Sequence, residues 1–195
     1  IFLGELALDG RLRPVSGVLP AVLAAAGSGA THVVVPEFNA GEARLVPGVS
    51  VLGVRSLRQV LAVLRDEPVP EEPEPPPAAG MTAPTGDVVE IPVDLADVAD
   101  QQGAKRAVEV AAAGHHHLML TGPPGAGKTM LARRLPGLLP DLSTDESLEV
   151  TAIHSVAGVL PTDQPLIIRP PFADPHHTAS VAAVVGGGSR LIRPG

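Results

Sequence analysis

The stretch "LTGPPGAGKTMLARRLPGLLP" runs from Leu120 to Pro140. Its first half, Gly122-Pro123-Pro124-Gly125-Ala126-Gly127-Lys128-Thr129, fits the pattern G-x-x-x-x-G-K-[ST]. The order of residues follows from what a phosphate cradle needs. Glycines let the backbone curl tightly, so that successive N–H groups point inward at phosphate oxygens. A helix starting where the curl ends adds unsatisfied N–H groups and the positive end of its dipole. Lys128 is expected to reach the β- and γ-phosphates and is the candidate catalytic residue. Thr129 is expected to ligate Mg²⁺. With Met130 at the first turn of the helix, these nine residues form the candidate site for ATP and its magnesium. The flanks supply the frame: His117–Thr121 (HLMLT) predicts a short buried strand, and Lys128–Leu135 predicts the helix that follows.

Binding is half of an ATPase. Hydrolysis also needs an acidic residue at the end of an apolar strand, to hold the metal and position water. After Thr129 no run of four apolar residues leads into Asp or Glu; Leu166-Ile167-Ile168 is followed by Arg169. Asp141, Asp145, Glu146, Glu149, Asp163 and Asp174 stand in loop or helix-start contexts. The hydrolytic carboxylates are therefore expected outside these 195 residues, and the chain alone is not expected to turn ATP over.

Outward from the loop, Ala104–Ala113 (AKRAVEVAAA) predicts a helix ended by Gly114. Ser143-Thr144-Asp145-Glu146 is a capping box that opens a helix towards Val156. Upstream, residues 66–90 are dense in Pro and Glu with few large apolar side chains. Such a segment buries too little surface to offset its ordering entropy, which predicts an extended or disordered linker with Glu71, Glu72 and Glu74 in solvent.

Before the linker, strand and helix signals alternate. "FLGELALDG" ends in the hairpin-type turn Asp9-Gly10, and "RLRPV" is its partner strand. Val18–Ala26 is an apolar helix closed by Gly27 and Gly29; "THVVVP" is a buried strand stopped by Pro36; "VSVLGV" is a further strand. Ser56-Leu57-Arg58-Gln59 is a capping box opening a helix to Arg65. The alternation predicts an α/β layer.

Composition narrows the function classes. The formal net charge of -7 argues against a chain-wide nucleic-acid surface while leaving a local basic face open. There is no cysteine, hence no disulfide framework and no thiolate metal site. Three Phe and no Tyr or Trp leave no stacking platform for bases. No apolar run reaches membrane-span length and no signal peptide is visible, which predicts a cytoplasmic protein without membrane contact. The chain begins at Ile1 inside an apolar strand-like pattern and ends at Pro194-Gly195 in a loop-like sequence, and both ends read as if cut, as expected of a fragment.

Residues 91–195 resemble the magnesium-chelatase-like AAA+ ATPases of the ComM/YifB type. The resemblance rests on "DLADV" with "AKRAVEVAAAG", the phosphate loop with "MLARRLPGLLP", "LEVTAIHSVAG", "RPPFADPHHTAS" and "VGGGS". Residues 1–65, through "GELALDGRLRPVSGVLPAVLAA" and "THVVVPEFN", resemble the C-terminal part of a Lon-type peptidase domain. The implied architecture is α/β: a partial Lon-like domain at 1–65, a Pro/Glu-rich linker at 66–90, and the first part of a P-loop AAA+ domain at 91–195, ending before its Walker B strand. In Lon peptidases a Ser–Lys dyad does the work; the position matching the Lys is Ala21, which implies a domain without peptidase activity. Two departures touch the nucleotide pocket or a partner contact: Asp100-Gln101 stands where the family has Gly-Gln, and Ala173-Asp174 where an Arg precedes Pro-His-His.

The resemblance implies a homo-hexameric motor acting on DNA, a helicase that promotes branch migration in recombination of incoming DNA. Two alternatives stay open: a chelatase-like ATPase that remodels a protein partner, and a nucleotide-binding module without turnover. An ATP-dependent peptidase is disfavoured by Ala21. His115-His116-His117 cannot all converge on one metal because neighbours on a strand alternate faces. His176-His177 reads as a locally hydrogen-bonded loop, and Arg133-Arg134 as a solvated helix face.

Overall fold

A computed structural model describes residues 1–73, 93–161, 165–176 and 178–187. It is a mixed α/β structure with small sheets, divided into two compact units. The first comprises residues 1–85, 144–167 and 175–195; the second comprises residues 86–143 and 168–174. The units follow packing rather than chain order: residues 144–167 lie in the unit of the N-terminal half, whereas the sequence reading groups them with the stretch from 91 onward.

In the first unit, strands β1 (Glu5–Leu6) and β2 (Leu12–Arg13) pair antiparallel around the Asp9-Gly10 turn, as their sequence predicts. Helix α1 spans Val18–Gly27. Strands β3 (His32–Pro36) and β4 (Ser50–Val54) run parallel, in register from His32 opposite Ser50 to Pro36 opposite Val54. Parallel neighbours need a crossover, and its path is what the sequence reading missed: a 3-10 turn at Glu37–Asn39 followed by the short helix α2, Ala40–Ala43. Gly53 lets β4 pass close to this crossover. A Cβ there would lie 2.9 Å from a Glu37 carboxylate oxygen and 3.0 Å from the Ala40 Cβ.

Val18, Leu19 and Val22 of α1 bury against Val33 and Val35 of β3 and against Ala40, Ala43 and Val46. Each fully buried Val or Leu contributes roughly 1.5–3 kcal/mol relative to exposure, so this cluster carries the unit. Helix α3 spans Leu57–Leu64. Ser56 caps it as expected, accepting from the Gln59 amide at 3.3 Å. The reciprocal half differs: the Gln59 side chain accepts from the Arg55 amide at 2.7 Å rather than from Ser56. Glu72 is a correction to the solvated linker, since its side chain and carbonyl are both bonded to the start of α3. The linker residues after 73, Glu74 among them, lie outside the described residues.

The helix opened at Ser143-Thr144 forms over Thr144–Ala157, inside this unit; it is named α6 below, after the two helices of the other unit. Its buried residues are Ser147, Thr151 and Ser155, spaced four apart on one face, while Ile153 and Val156 are exposed. A hydroxyl-lined helix face gains little from the hydrophobic effect, so directed hydrogen bonds must hold it. Ser155 carbonyl accepts from the Gly17 amide at 2.9 Å, and the Thr151 hydroxyl accepts from the Ile167 amide at 3.0 Å. A last short helix, α7, covers Val181–Val185.

The second unit has a smaller core: Leu95, Val98, Val108 and Leu131, lined by Ala104, Leu120, Met130, Leu135 and Leu138. Asp94 and Asp97 form a reciprocal capping box around the turn at Leu95–Asp97. Helix α4 spans Gln102–Ala113 and stops before Gly114. Helix α5 is shorter than expected, Lys128–Ala132, and gives way to a 3-10 turn at Leu135–Leu138 where Pro136 removes a donor. The strand expected at His117–Thr121 is absent: the segment is extended without a ladder partner among the described residues, and Met119 is 85% exposed. A strand is stabilised by its neighbour, and apolar sequence alone does not make one.

Candidate functional site

The loop begins where Leu120 leaves the small core and ends where Leu131, 2% exposed, re-enters it through α5. Between these anchors Gly122, Gly125 and Gly127 take φ of 155, 79 and 80°, a region L side chains avoid. Gly127 is the N-cap of α5. A Cβ on it would come 3.0 Å from Gln101 Nε2 and 3.1 Å from Met130 Cε, so the helix start is also closely approached. Gly122 to Ala126 are exposed, Gly127, Lys128 and Met130 are half-buried, and Thr129 is exposed.

Lys128 folds back over the loop. Its ammonium donates to the carbonyls of Gly122 and Pro123, at 2.8 Å each. Among the described residues it forms no ion pair. A cation whose partners are only carbonyl dipoles, at the mouth of a glycine curl, has the charge and donors that suit an anion. The loop backbone and Lys128 thus fit a polyphosphate, and Thr129 is exposed in the first turn of α5. The Met130 side chain packs on the core with its end close to Gly127, and its carbonyl accepts from Arg134 at 2.9 Å.

Asp100 and Gln101 are a feature whose geometry the sequence did not disclose. Both are left-handed, with φ of 54 and 55°, immediately before α4. This turn aims the Gln101 amide at the loop, 3.5 Å from the Ala126 carbonyl. The signal lay in the resemblance, which implies Gly at the position of Asp100, and Gly is the residue to expect at positive φ.

The remaining candidates are held locally. Arg133 pairs with Asp174 at 3.5 Å, and Arg134 donates to the Asp94 carbonyl at 2.9 Å. Asp141 lies 4.0 Å from Arg169. His176 meets the Thr178 hydroxyl at 2.7 Å, and His177 lies outside the described residues. No cluster of three metal-ligating side chains occurs among the described residues, His115–His117 included. Gly188 and Ser189 lie outside the described residues.

Comparison with known proteins decides the family. The model for "Magnesium chelatase, subunit ChlI" matches residues 94–195, and that for "Subunit ChlI of Mg-chelatase" matches residues 1–39. The chain belongs to the magnesium-chelatase-like family of ComM and YifB. An uncharacterized Mycobacterium tuberculosis protein is 61% identical over 195 residues, 100% of this chain and 37% of the relative. Escherichia coli YifB is 42% identical over 186 residues, 95% of this chain and 35% of the relative. The Haemophilus influenzae competence protein ComM is 40% identical over 197 residues, 100% of this chain and 37% of the relative. The chain thus spans a little over a third of these relatives' length. A separate, partial likeness links 36% of the chain to 13% of Bacillus subtilis Lon protease 2, at 32% identity over 72 residues. The family is AAA+ ATPase-like, in keeping with the loop at Gly122–Thr129. No helix among the described residues is long and apolar enough to cross a membrane.

Proposed function

We propose that this chain supplies the nucleotide-binding half of an AAA+ motor that uses ATP and Mg²⁺. The observation that carries the reading is Lys128, an ammonium without an acidic partner among the described residues, held over a curl of left-handed glycines. Bound magnesium would supply charge neutralisation at the phosphates. The main-chain N–H groups of Gly125, Ala126 and Gly127 would hold the phosphates, Lys128 would donate to phosphate oxygens, and the Thr129 hydroxyl would hold the metal. Turnover draws its metal-binding carboxylate and a neighbouring subunit's arginine from residues outside 1–195, within a homo-hexamer in the cytoplasm.

The work done with ATP is branch migration of DNA during recombination of incoming DNA, a reading supported by the kinship with a competence protein. The Lon-like N-terminal part, residues 1–65, acts as a peptidase-inactive module because Ala21 of α1 offers no base. The test is ATP turnover by the full-length protein with and without four-way DNA junctions. Stimulation by junctions, abolished in Lys128→Ala, supports the reading. Stimulation by a protein partner with no DNA effect favours a chelatase-like remodelling ATPase instead, and binding without turnover favours a nucleotide-binding module. Labelling of the full-length protein by a serine-reactive probe would contradict the inactive peptidase module.

A further inference from the structure

The start of the Pro/Glu-rich linker does not leave α3; it returns to it. Three hydrogen bonds fasten it. Gln59 Nε2 donates to the Pro70 carbonyl at 3.0 Å, Arg55 Nη1 donates to the Glu72 carbonyl at 2.7 Å, and the Ser56 hydroxyl donates to Glu72 Oε1 at 2.5 Å. The carbonyls of residues 70 and 72 both face the start of α3, as alternate positions of an extended chain can. Two main-chain acceptors are thus read at a spacing of two, and a carboxylate is read at the helix N-cap, where the α3 dipole and its free N–H groups favour negative charge. Ser56 serves both partners without conflict, accepting from the Gln59 amide while donating to Glu72.

The groove has matching chemistry beside the docked segment. A cavity of about 410 Å³ there is lined by the apolar side chains of Leu57 and Leu61, by Pro73, by Asp9 with Arg11, and by Arg55 and Arg58. Arg11 is held by Asp9 at 3.7 Å, whereas Arg58 forms no ion pair among the described residues. Leu57 and Leu61 are each 41% exposed, an apolar floor at which proline rings can pack. Cationic rims over an apolar floor, with donors spaced for an extended backbone, select an acidic, proline-bearing peptide.

We propose that the N-terminal end of α3 is a binding site for an acidic, proline-containing extended peptide, occupied in cis by residues Val69–Pro73. The start of the linker is consequently anchored at Glu72. Arg55, Ser56 and Gln59 are the reading residues, and Glu72 is the anchor.

Two measurements on the full-length protein test this. The 195 residues contain no cysteine, so Glu71→Cys, with any cysteine elsewhere in the protein replaced, carries a nitroxide at an exposed position beside the anchor. The expected spectrum is motionally restricted, and adding Glu72→Ala or Arg55→Ala makes it mobile. A label equally mobile with and without Glu72→Ala overturns the anchor. In the second measurement, a fluorescent peptide of sequence DEPVPEEPEP is titrated into the Glu72→Ala protein, whose own segment is released. Saturable binding is expected, weakened about tenfold by Arg55→Ala, reduced by salt, and lost when the peptide's second consecutive Glu is Ala. Equal binding of the two peptides, or none at millimolar concentration, overturns the site. Ser56→Ala is left out because losing the cap destabilises α3 by itself.

Discussion

The Ser155 hydroxyl donates to Glu42 Oε2 at 2.5 Å across 113 positions of the chain. Glu42 is 7% exposed and lies on the crossover helix α2; Ser155 lies on α6. The same carboxylate accepts from Asn39 Nδ2 at 2.7 Å and from the Leu19 amide at 3.2 Å. One buried acidic group therefore joins α1, the crossover and α6, each through a neutral donor. Glu42→Ala would remove the acceptor of the Leu19 amide and the Ser155 hydroxyl, while Asn39 Nδ2 keeps its bond to the Val15 carbonyl at 2.9 Å. A cost of about 3 kcal/mol is expected, because a lost partner exposes the full desolvation penalty of the group left behind. Ser155→Ala, which removes a donor and leaves the acceptor two partners, should cost about 1 kcal/mol. Chemical denaturation of the two variants checks the order, and equal costs would refute it.

Lys128→Ala should abolish nucleotide binding at micromolar concentration while leaving the fold intact. The ammonium's two bonds run to exposed loop carbonyls that water can satisfy in its absence. Equilibrium binding of a fluorescent ATP analogue, with a thermal melt on the same sample, separates the effects. A melting loss above about 3 °C would mean that the lysine is structural as well, since 1 kcal/mol shifts a chain of this size by about 2–4 °C.

Asp100→Gly should stabilise the second unit. Asp100 sits at φ 54°, and a left-handed conformation costs an L residue about 1–2 kcal/mol that glycine escapes, less the extra entropy glycine loses. The net expectation is about 0.5 kcal/mol, seen as a small rise in melting temperature. The variant should also keep Gln101 aimed at the loop and so leave nucleotide affinity unchanged within about twofold. A fall in stability would show that the Asp100 side chain does something its backbone does not disclose.

His154 on α6 gives the first unit a pH response. Burial of its ring lowers its pKa below the ordinary 6.5. The unfolded chain then binds more protons than the folded one just below pH 6.5, so stability falls as pH drops through that range. It levels off once the folded form is protonated too. His154→Gln should flatten this portion of a denaturation profile taken between pH 7.5 and 5 and leave the profile above 7 unchanged. An identical slope in the variant would assign the response elsewhere.

The sequence was legible where local signals and burial agree. Val18–Ala26 is apolar with glycines after it, Ser56 and Ser143-Thr144 precede helical runs, and β3 and β4 are short β-branched runs between turn residues. The candidate loop was legible because its pattern specifies backbone geometry, and three of its glycines adopt the left-handed region that geometry needs. The crossover at Glu37–Ala43 was missed because its buried face is Asn39, Ala40, Glu42 and Ala43, half of it polar, which no hydrophobic periodicity reveals. "HLMLT" failed for the opposite reason: it carries strand composition but has no neighbour to pair with among the described residues. Glu72 reads as solvated from composition, and only the return of the chain to Arg55 and Ser56 brings it into contact.

The hydroxyls of α6 recur at Ser147, Thr151 and Ser155, a step of four residues, close to one helical turn. A slide of the helix by one turn would bring the Thr151 hydroxyl to the place Ser155 holds beside Glu42, so that bond alone does not choose the alignment. The other two bonds repeat with it. The Gly17 amide meets the Ser155 carbonyl, where a Thr151 carbonyl would serve as well, and the Ile167 amide meets the Thr151 hydroxyl, where Ser147 offers another. With a face and partners that share one step, α6 is a toothed rack whose position its own teeth do not set.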